Sequence, residues 1–122
     1  MTNIEKLVLV LKKIPPLEQT GDRKMHRVIA RALDKKGRIL STRTNTYTVS
    51  HPIQKHFAVL AGRPKAIYLH AEISALIAAK SSKVHTLLIA RIDADGNPVK
   101  AEPCEICTIA IEKFGVKHII HT

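Results

Sequence analysis

Ile4, Leu7, Val8, Leu11 and Ile14 recur at intervals of three and four, so residues 3–14 predict an amphipathic helix that Pro15-Pro16 ends. The period then changes. Arg27–Leu33 (RVIARAL) and Arg38–Thr42 (RILST) are short apolar-rich runs separated by Asp34-Lys35-Lys36-Gly37, which predicts a hairpin with glycine available for a positive φ. Ser50-His51-Pro52 reads as a helix start with proline in the first turn; residues 53–61 form the helix and Gly62 is its C-cap. Ala71–Lys80 (AEISALIAAK) is a strong helix former and Thr86–Ile92 (TLLIARI) a strand. Asp95-Gly96 is a turn signal, with a short return strand expected at 99–101. Pro103 opens a last helix through Phe114, closed by Gly115, and Val116–His121 (VKHIIH) is a final strand. The order is α-ββ-α-α-β-α-β. The last two main strands, joined through a helix, are expected to be parallel with a right-handed crossover.

A chain of 122 residues supports one domain and one core, with a helix in 1–16 and the core in 27–122. That leaves no room for a separate substrate domain, so a site must lie within this fold or at a subunit interface. The longest apolar runs fall far short of the roughly 18 residues a membrane span needs. The first residues carry an early acid and no small-residue cleavage site, so no signal peptide is read and a cytoplasmic location is expected. The 20 Lys plus Arg against 10 Asp plus Glu suggest an anionic partner, a nucleotide or a nucleic acid. Tyr47, Tyr68, Phe57 and Phe114 are few aromatics for a stacking platform that tracks a long single strand, so the charge alone does not choose between mononucleotide and polymer.

The chemistry concentrates in two short segments, His70-Ala71-Glu72 and Pro103-Cys104-Glu105-Ile106-Cys107. The only two cysteines are Cys104 and Cys107, so no disulfide framework exists beyond that pair. Three readings compete. A redox dithiol lacks the sequence context of known C-x-x-C oxidoreductases. A closed structural zinc site needs a fourth ligand, with His85 or His118 available. A catalytic zinc site needs only His70, Cys104 and Cys107 and keeps a fourth position open for water; this is the preferred reading. His70 and Glu72 fall at the start of one predicted helix, and Cys104 and Cys107 lie three apart at the start of another, on one face. Two positive helix ends would then meet at the metal and favour thiolates. His51, His56, His85, His118 and His121 are further histidines without an assigned role.

H-x-E followed by P-C-x-x-C is the pattern of zinc-dependent base deaminases. The chain resembles the cytidine/deoxycytidylate deaminase superfamily, in element order over 27–122 and in specific identity at His70-Ala71-Glu72, Glu102-Pro103-Cys104 and Cys107. The resemblance implies a single-domain α/β, cytidine-deaminase-like three-layer fold, with a mixed sheet flanked by helices. It implies Zn2+ held by His70, Cys104 and Cys107, with Glu72 moving protons between water, ring nitrogen and leaving amine. Backbone N–H groups near Ala71 and Cys104 are candidates to orient the oxygen. Asn45 stands where many relatives carry a substrate-binding asparagine, and Tyr68 is placed to stack on the base; turn chemistry and core packing are their ordinary alternatives.

Two departures matter. Asp93–Lys100 intervenes before the Pro-Cys motif, so the rim beside the zinc is rebuilt. Many relatives carry one more strand than is read here, which suggests a minimal core or an edge covered by a neighbouring subunit of a homo-oligomer. The expected activity is hydrolytic deamination of a free cytosine nucleoside or nucleotide, with Lys55, Arg43 or Arg63 meeting a 5′-phosphate. The alternatives are a deaminase of tRNA or single-stranded DNA, and a nucleic-acid-binding module whose zinc is structural.

Overall fold

A computed structural model describes residues 1–15, 27–80 and 83–122. The elements are α1 (Asn3–Lys13), β1 (Arg27–Leu33), β2 (Ile39–Thr44), α2 (Pro52–Leu60), α3 (Ala71–Ala78), β3 (Thr86–Ile92), β4 (Pro98–Val99), α4 (Glu105–Lys113) and β5 (His118–His121). The strands form one mixed sheet. β1 lies between β2 and β3, antiparallel to both. The other edge of β3 is shared end to end: β5 runs parallel beside Thr86–Ile89, and β4 pairs antiparallel with Arg91 and Ile92. Thr122 joins the two pieces, its N–H donating to Ile89 and its hydroxyl to the Val99 carbonyl. The parallel β3–β5 pair agrees with the sequence expectation.

The period-2 pattern of β1 and β3 divides the interior into two. Ile29, Leu33, Leu88, Ala90 and Ile92 face Leu7, Val8 and Leu11 of α1. Ala30, Ala32, Leu87 and Ile89 face the other way, against α2, α3 and α4. This is the three-layer α/β arrangement, one helix on one face and three on the other. The second face is rich in alanine. Ala71 and Ala75 of α3 and its C-cap Ala79 recur every fourth residue and pack in the same cluster as Ala30 and Ala32. The Ser41 hydroxyl reaches across from β2 to the Ala75 carbonyl at 2.6 Å. Among the described residues no helix is long and apolar enough to cross a membrane.

Several boundaries differ from expectation for local reasons. α1 stops at Lys13 with Ile14 as C-cap, because Ile14 takes an extended ψ of 132° before Pro15; Pro16 lies outside the described residues. β2 starts at Ile39 rather than Arg38, since Asp34 draws Arg38 into the turn through its backbone N–H and guanidinium. It runs on to Thr44. In the 50–62 region His51 is the N-cap, its Nδ1 accepting the Ile53 N–H, and Gly62 stands one beyond the Ala61 cap. Pro103 does not open α4. Cys104 is the N-cap, with a ψ of 172°, and the helix begins at Glu105. α3 ends at Ala78, followed by Lys80 with a positive φ of 50°. β5 begins at His118, and β4 occupies Pro98–Val99 rather than 99–101.

α1 is held at its C-terminus by a charge from the sheet. The Arg27 guanidinium donates to the Leu11 carbonyl at 2.9 Å and to the Ile14 carbonyl. The Leu11 carbonyl otherwise meets only the N–H of the capping Ile14, and the Ile14 carbonyl lies past the helix, both at the negative end of its dipole. Replacing Arg27 by Ala should cost about 1.5–3 kcal/mol, the range for hydrogen bonds to a charged group. Urea denaturation reads that loss, and earlier proteolysis of α1 than of the sheet would show where it acts.

Candidate metal centre and active-site cleft

α3 leads into β3, and α4 lies between β3 and the parallel β5. Both helices therefore run against β3, and both begin at its C-terminal end. His70 and Cys104 occupy the two N-cap positions. An N-cap side chain ordinarily turns back to accept a helix N–H. Neither of these does; both turn toward one point between the helices. His70 Nδ1 lies 3.3 Å from Cys107 Sγ and 3.5 Å from Cys104 Sγ. The three donor atoms all lie within 4.8 Å of one another.

This donor set fits zinc. With Zn–S of about 2.3 Å and Zn–N of about 2.0–2.1 Å, a tetrahedral ion separates its N and S ligands by about 3.5 Å. The observed spacings match that value without rearrangement. The cluster contains three protein donors among the described residues. His85 and His118, considered as a fourth ligand, stack against each other at 4.8 Å near the start of β3. Among the described residues, no fourth His, Cys, Asp or Glu donor joins the three.

Electrostatics follow from the packing. Cys104 is pulled down to about 3, first by the hydrogen bond from the Cys107 thiol and then by His70. Cys107 is pushed up by that same bond and by its complete burial. A dication held by the two sulfurs would favour both thiolates. The hydrogen bond to Cys104 raises His70, against the effect of burial. Glu72 stands in the first turn of α3 with its residue only 7 % exposed. Burial pushes its carboxyl above the usual range, partly offset by its own backbone N–H and by Cys107. A proton-transfer group gains from that shift, because its pKa moves toward neutrality.

A cleft of ≈ 500 Å³ opens onto Glu72, His70 and Cys104. Tyr68 forms part of its wall and is 46 % exposed, so its ring is not packed in the core. Ala71 is fully buried and lines the cleft beside the metal ligands. Asn45 also lines it, held by a reciprocal pair: its Oδ1 accepts the Val28 N–H at 3.0 Å and its own N–H donates to the Val28 carbonyl. Of the three cations expected near a phosphate, Arg63 lines the cleft and Lys55 and Arg43 do not. Lys65 and Arg91 take their places. The Asp93–Lys100 segment forms a tight turn, Asp93 Oδ1 accepting the Asp95 and Asn97 N–H groups at 2.9 Å. It returns the chain along β3 and sets Ala101 and Glu102 in the cleft wall.

A glutamine in a surface helix ordinarily faces solvent. Gln54 is instead completely buried in α2. Its Oε1 accepts the backbone N–H of His70 at 3.1 Å and its Nε2 donates to the Ala66 carbonyl at 3.2 Å. One side chain thus ties α2, the 61–69 connection and the metal-ligating histidine together. Its spacing of three and four from Phe57 and Ala58, on the buried face of α2, was the sequence sign of it.

A family model described as the cytidine and deoxycytidylate deaminase zinc-binding region matches residues 3–122. The chain belongs to that family of zinc-dependent deaminases. No curated protein and no solved structure gave a significant match.

Replacing Gln54 by Leu leaves the His70 N–H buried without an acceptor. Zinc affinity should fall about ten- to a hundred-fold, as for other partners that orient metal ligands. Cys104→Ala should lose zinc outright and lower the thermal midpoint, because metal binding and folding are coupled. Chelator competition and metal analysis of the purified variants measure both.

Proposed function

We propose that the protein hydrolytically deaminates a free cytosine nucleoside or nucleotide, releasing ammonia and the uracil form. One observation carries this reading: a buried carboxyl, Glu72, stands beside an open three-donor zinc site at the bottom of a cleft of ≈ 500 Å³. That volume falls within the usual range for small-molecule sites, roughly 300–1,000 Å³. Zinc, when bound, polarises a water to a pKa of about 7 and so supplies the nucleophile.

The chain's residues do the rest. Glu72 accepts the proton of that water and delivers it to N3 of the base. With the water oxygen bonded to C4, it takes the remaining proton of that oxygen to the exocyclic amine, and the C4–N bond breaks to leave C4=O and ammonia. The raised carboxyl suits a group that must both take and give a proton. The first N–H groups of α3, at Ala71 and Glu72, add the positive end of a helix dipole at the place where negative charge develops on the oxygen. Tyr68 supplies a partly exposed ring against the base, and Asn45 anchors the sugar side of the cleft. Arg63 and Lys65, both exposed on the rim, are placed to meet a 5′-phosphate. The outer edge of β5, with Ile119 and Ile120 exposed, supports the expectation of a homo-oligomer.

The test is ammonia release from cytidine, deoxycytidine, their 5′-phosphates and short single strands. Glu72→Ala should retain zinc and lose at least about 10³-fold in kcat, in keeping with the loss of general acid–base catalysis. Native-rate turnover by that variant would remove the mechanism. Arg63→Ala with Lys65→Ala should raise KM for a nucleoside monophosphate several-fold and leave the nucleoside unchanged. Turnover confined to strands, falling steeply with salt, would move the substrate to a polynucleotide.

A further inference from the structure

A second cleft lies at the opposite end of the sheet from the metal centre. Its ≈ 560 Å³ are lined by Lys35 of the β1–β2 turn, Lys83 and His85 before β3, Lys113 at the end of α4 and Lys117 before β5, with Phe114 in its apolar floor. No carboxylate lines it. The four lysines are exposed, and the ion pairs among the described residues, Arg38–Asp34 and Lys100–Glu102, involve none of them.

Helix ends offer one ordinary reason for lysines here. α3 and α4 both finish at this cleft, and each helix C-terminus carries roughly half a negative charge. Lys113 stands in the last turn of α4 and answers its dipole. Two helix ends together amount to about one negative charge. Four ammonium groups exceed that by about three, so dipole compensation leaves most of the positive charge unaccounted for.

The shape of the charge indicates the ligand. Each lysine is a compact charge on a flexible stem, and the helix ends present carbonyls rather than N–H donors. Nothing here forms the rigid backbone cradle that grips a single phosphate. Flexible cations around an open trough suit negative charges that are spaced along a chain. Phe114 adds an apolar ring, 37 % exposed, whose inner side packs on Phe57 with centroids 6.4 Å apart. An exposed ring beside cations is the pairing that single strands use, phosphates on the cations and a base on the ring.

We propose that this cleft binds the phosphodiester backbone of a single-stranded nucleic acid, through Lys35, Lys83, Lys113 and Lys117, with one base against Phe114. The site shares no residue with the metal centre. It stands or falls independently of the deaminase reading.

The experiment is fluorescence anisotropy of a fluorescein-labelled (dT)12 strand with the full, zinc-loaded chain. Thymine has no exocyclic amine, so turnover does not complicate the titration. Binding should weaken linearly on a log–log salt plot. Lys83→Glu with Lys117→Glu should weaken it at least tenfold and flatten the slope by about 1.4, or about 0.7 for each lost phosphate contact. Lys6→Glu with Lys55→Glu makes the same change in net charge on exposed helix positions outside the cleft; it should change affinity less than threefold. Lys35→Gln with Lys83→Gln is the milder pair should the reversal disturb folding, and a several-fold loss is expected. Equal weakening by the two charge-matched pairs would reduce the effect to general attraction and overturn the site. So would no binding at 50 mM salt. Displacement of the strand by equimolar inorganic tripolyphosphate would assign the cleft to a compact oligophosphate instead.

Discussion

Two helices must begin at one point, and the direction of β3 makes them do so. α3 leads into β3, and α4 carries the chain back from β3 to the parallel β5. Both helices run against the strand, so their first turns meet at its C-terminal end. Three donors can then surround one ion although 34 residues separate His70 from Cys104. The same constraint brings two helix C-termini together at the other end of β3. One end of the domain thus gathers partial positive charge, where thiolates and an incoming nucleophile are stabilised. The other gathers partial negative charge, beside a lysine-rich cleft. The polarity of the domain follows from strand direction before any side chain is considered.

Precision at the metal is supplied from outside the donor set. His70 and Cys104 keep free side chains because they stand at the N-cap, where their backbones are already turned out of the helix. Gln54 then fixes the His70 main chain from α2, and the Val28–Asn45 pair fixes the far wall of the cleft. The Asp93–Lys100 turn brings the chain back along β3 before it enters α4.

Much of this was legible in the sequence, and the reason is physical. Metal chemistry admits few residue types, so His70, Glu72, Cys104 and Cys107 stand out from any background. Element order was readable because amphipathic and alternating periods are local. What was not legible depends on contacts between distant segments. Nothing in the spacing of Pro103 and Cys104 distinguishes a first-turn cysteine from an N-cap one. Arg27 looks like any strand-end arginine until α1 arrives beside it. That β4 would share one edge of β3 with the parallel β5 was not readable, since a strand of two residues is too short to declare a partner. Lys55 and Lys65 carry the same charge, and only the path of 61–69 separates the one that lines the cleft from the one that does not.

The alanine stripe of α3 has a wider consequence. Ala71, Ala75 and Ala79 share one fully packed cluster with Ala30 and Ala32 of the sheet. An alanine has no rotamer with which to make room, so an extra methylene at these buried positions must displace its neighbours; overpacking of this kind typically costs about 1–3 kcal/mol. The displacement would pass along a rigid helix to His70 and Glu72 at its start. Residues usually treated as interchangeable filler act here as gauge blocks, and tolerance to mutation should be lowest where the side chains are smallest. On the opposite face, where larger side chains pack against α1, substitutions can accumulate while the distance between the metal and its carboxylate stays the same.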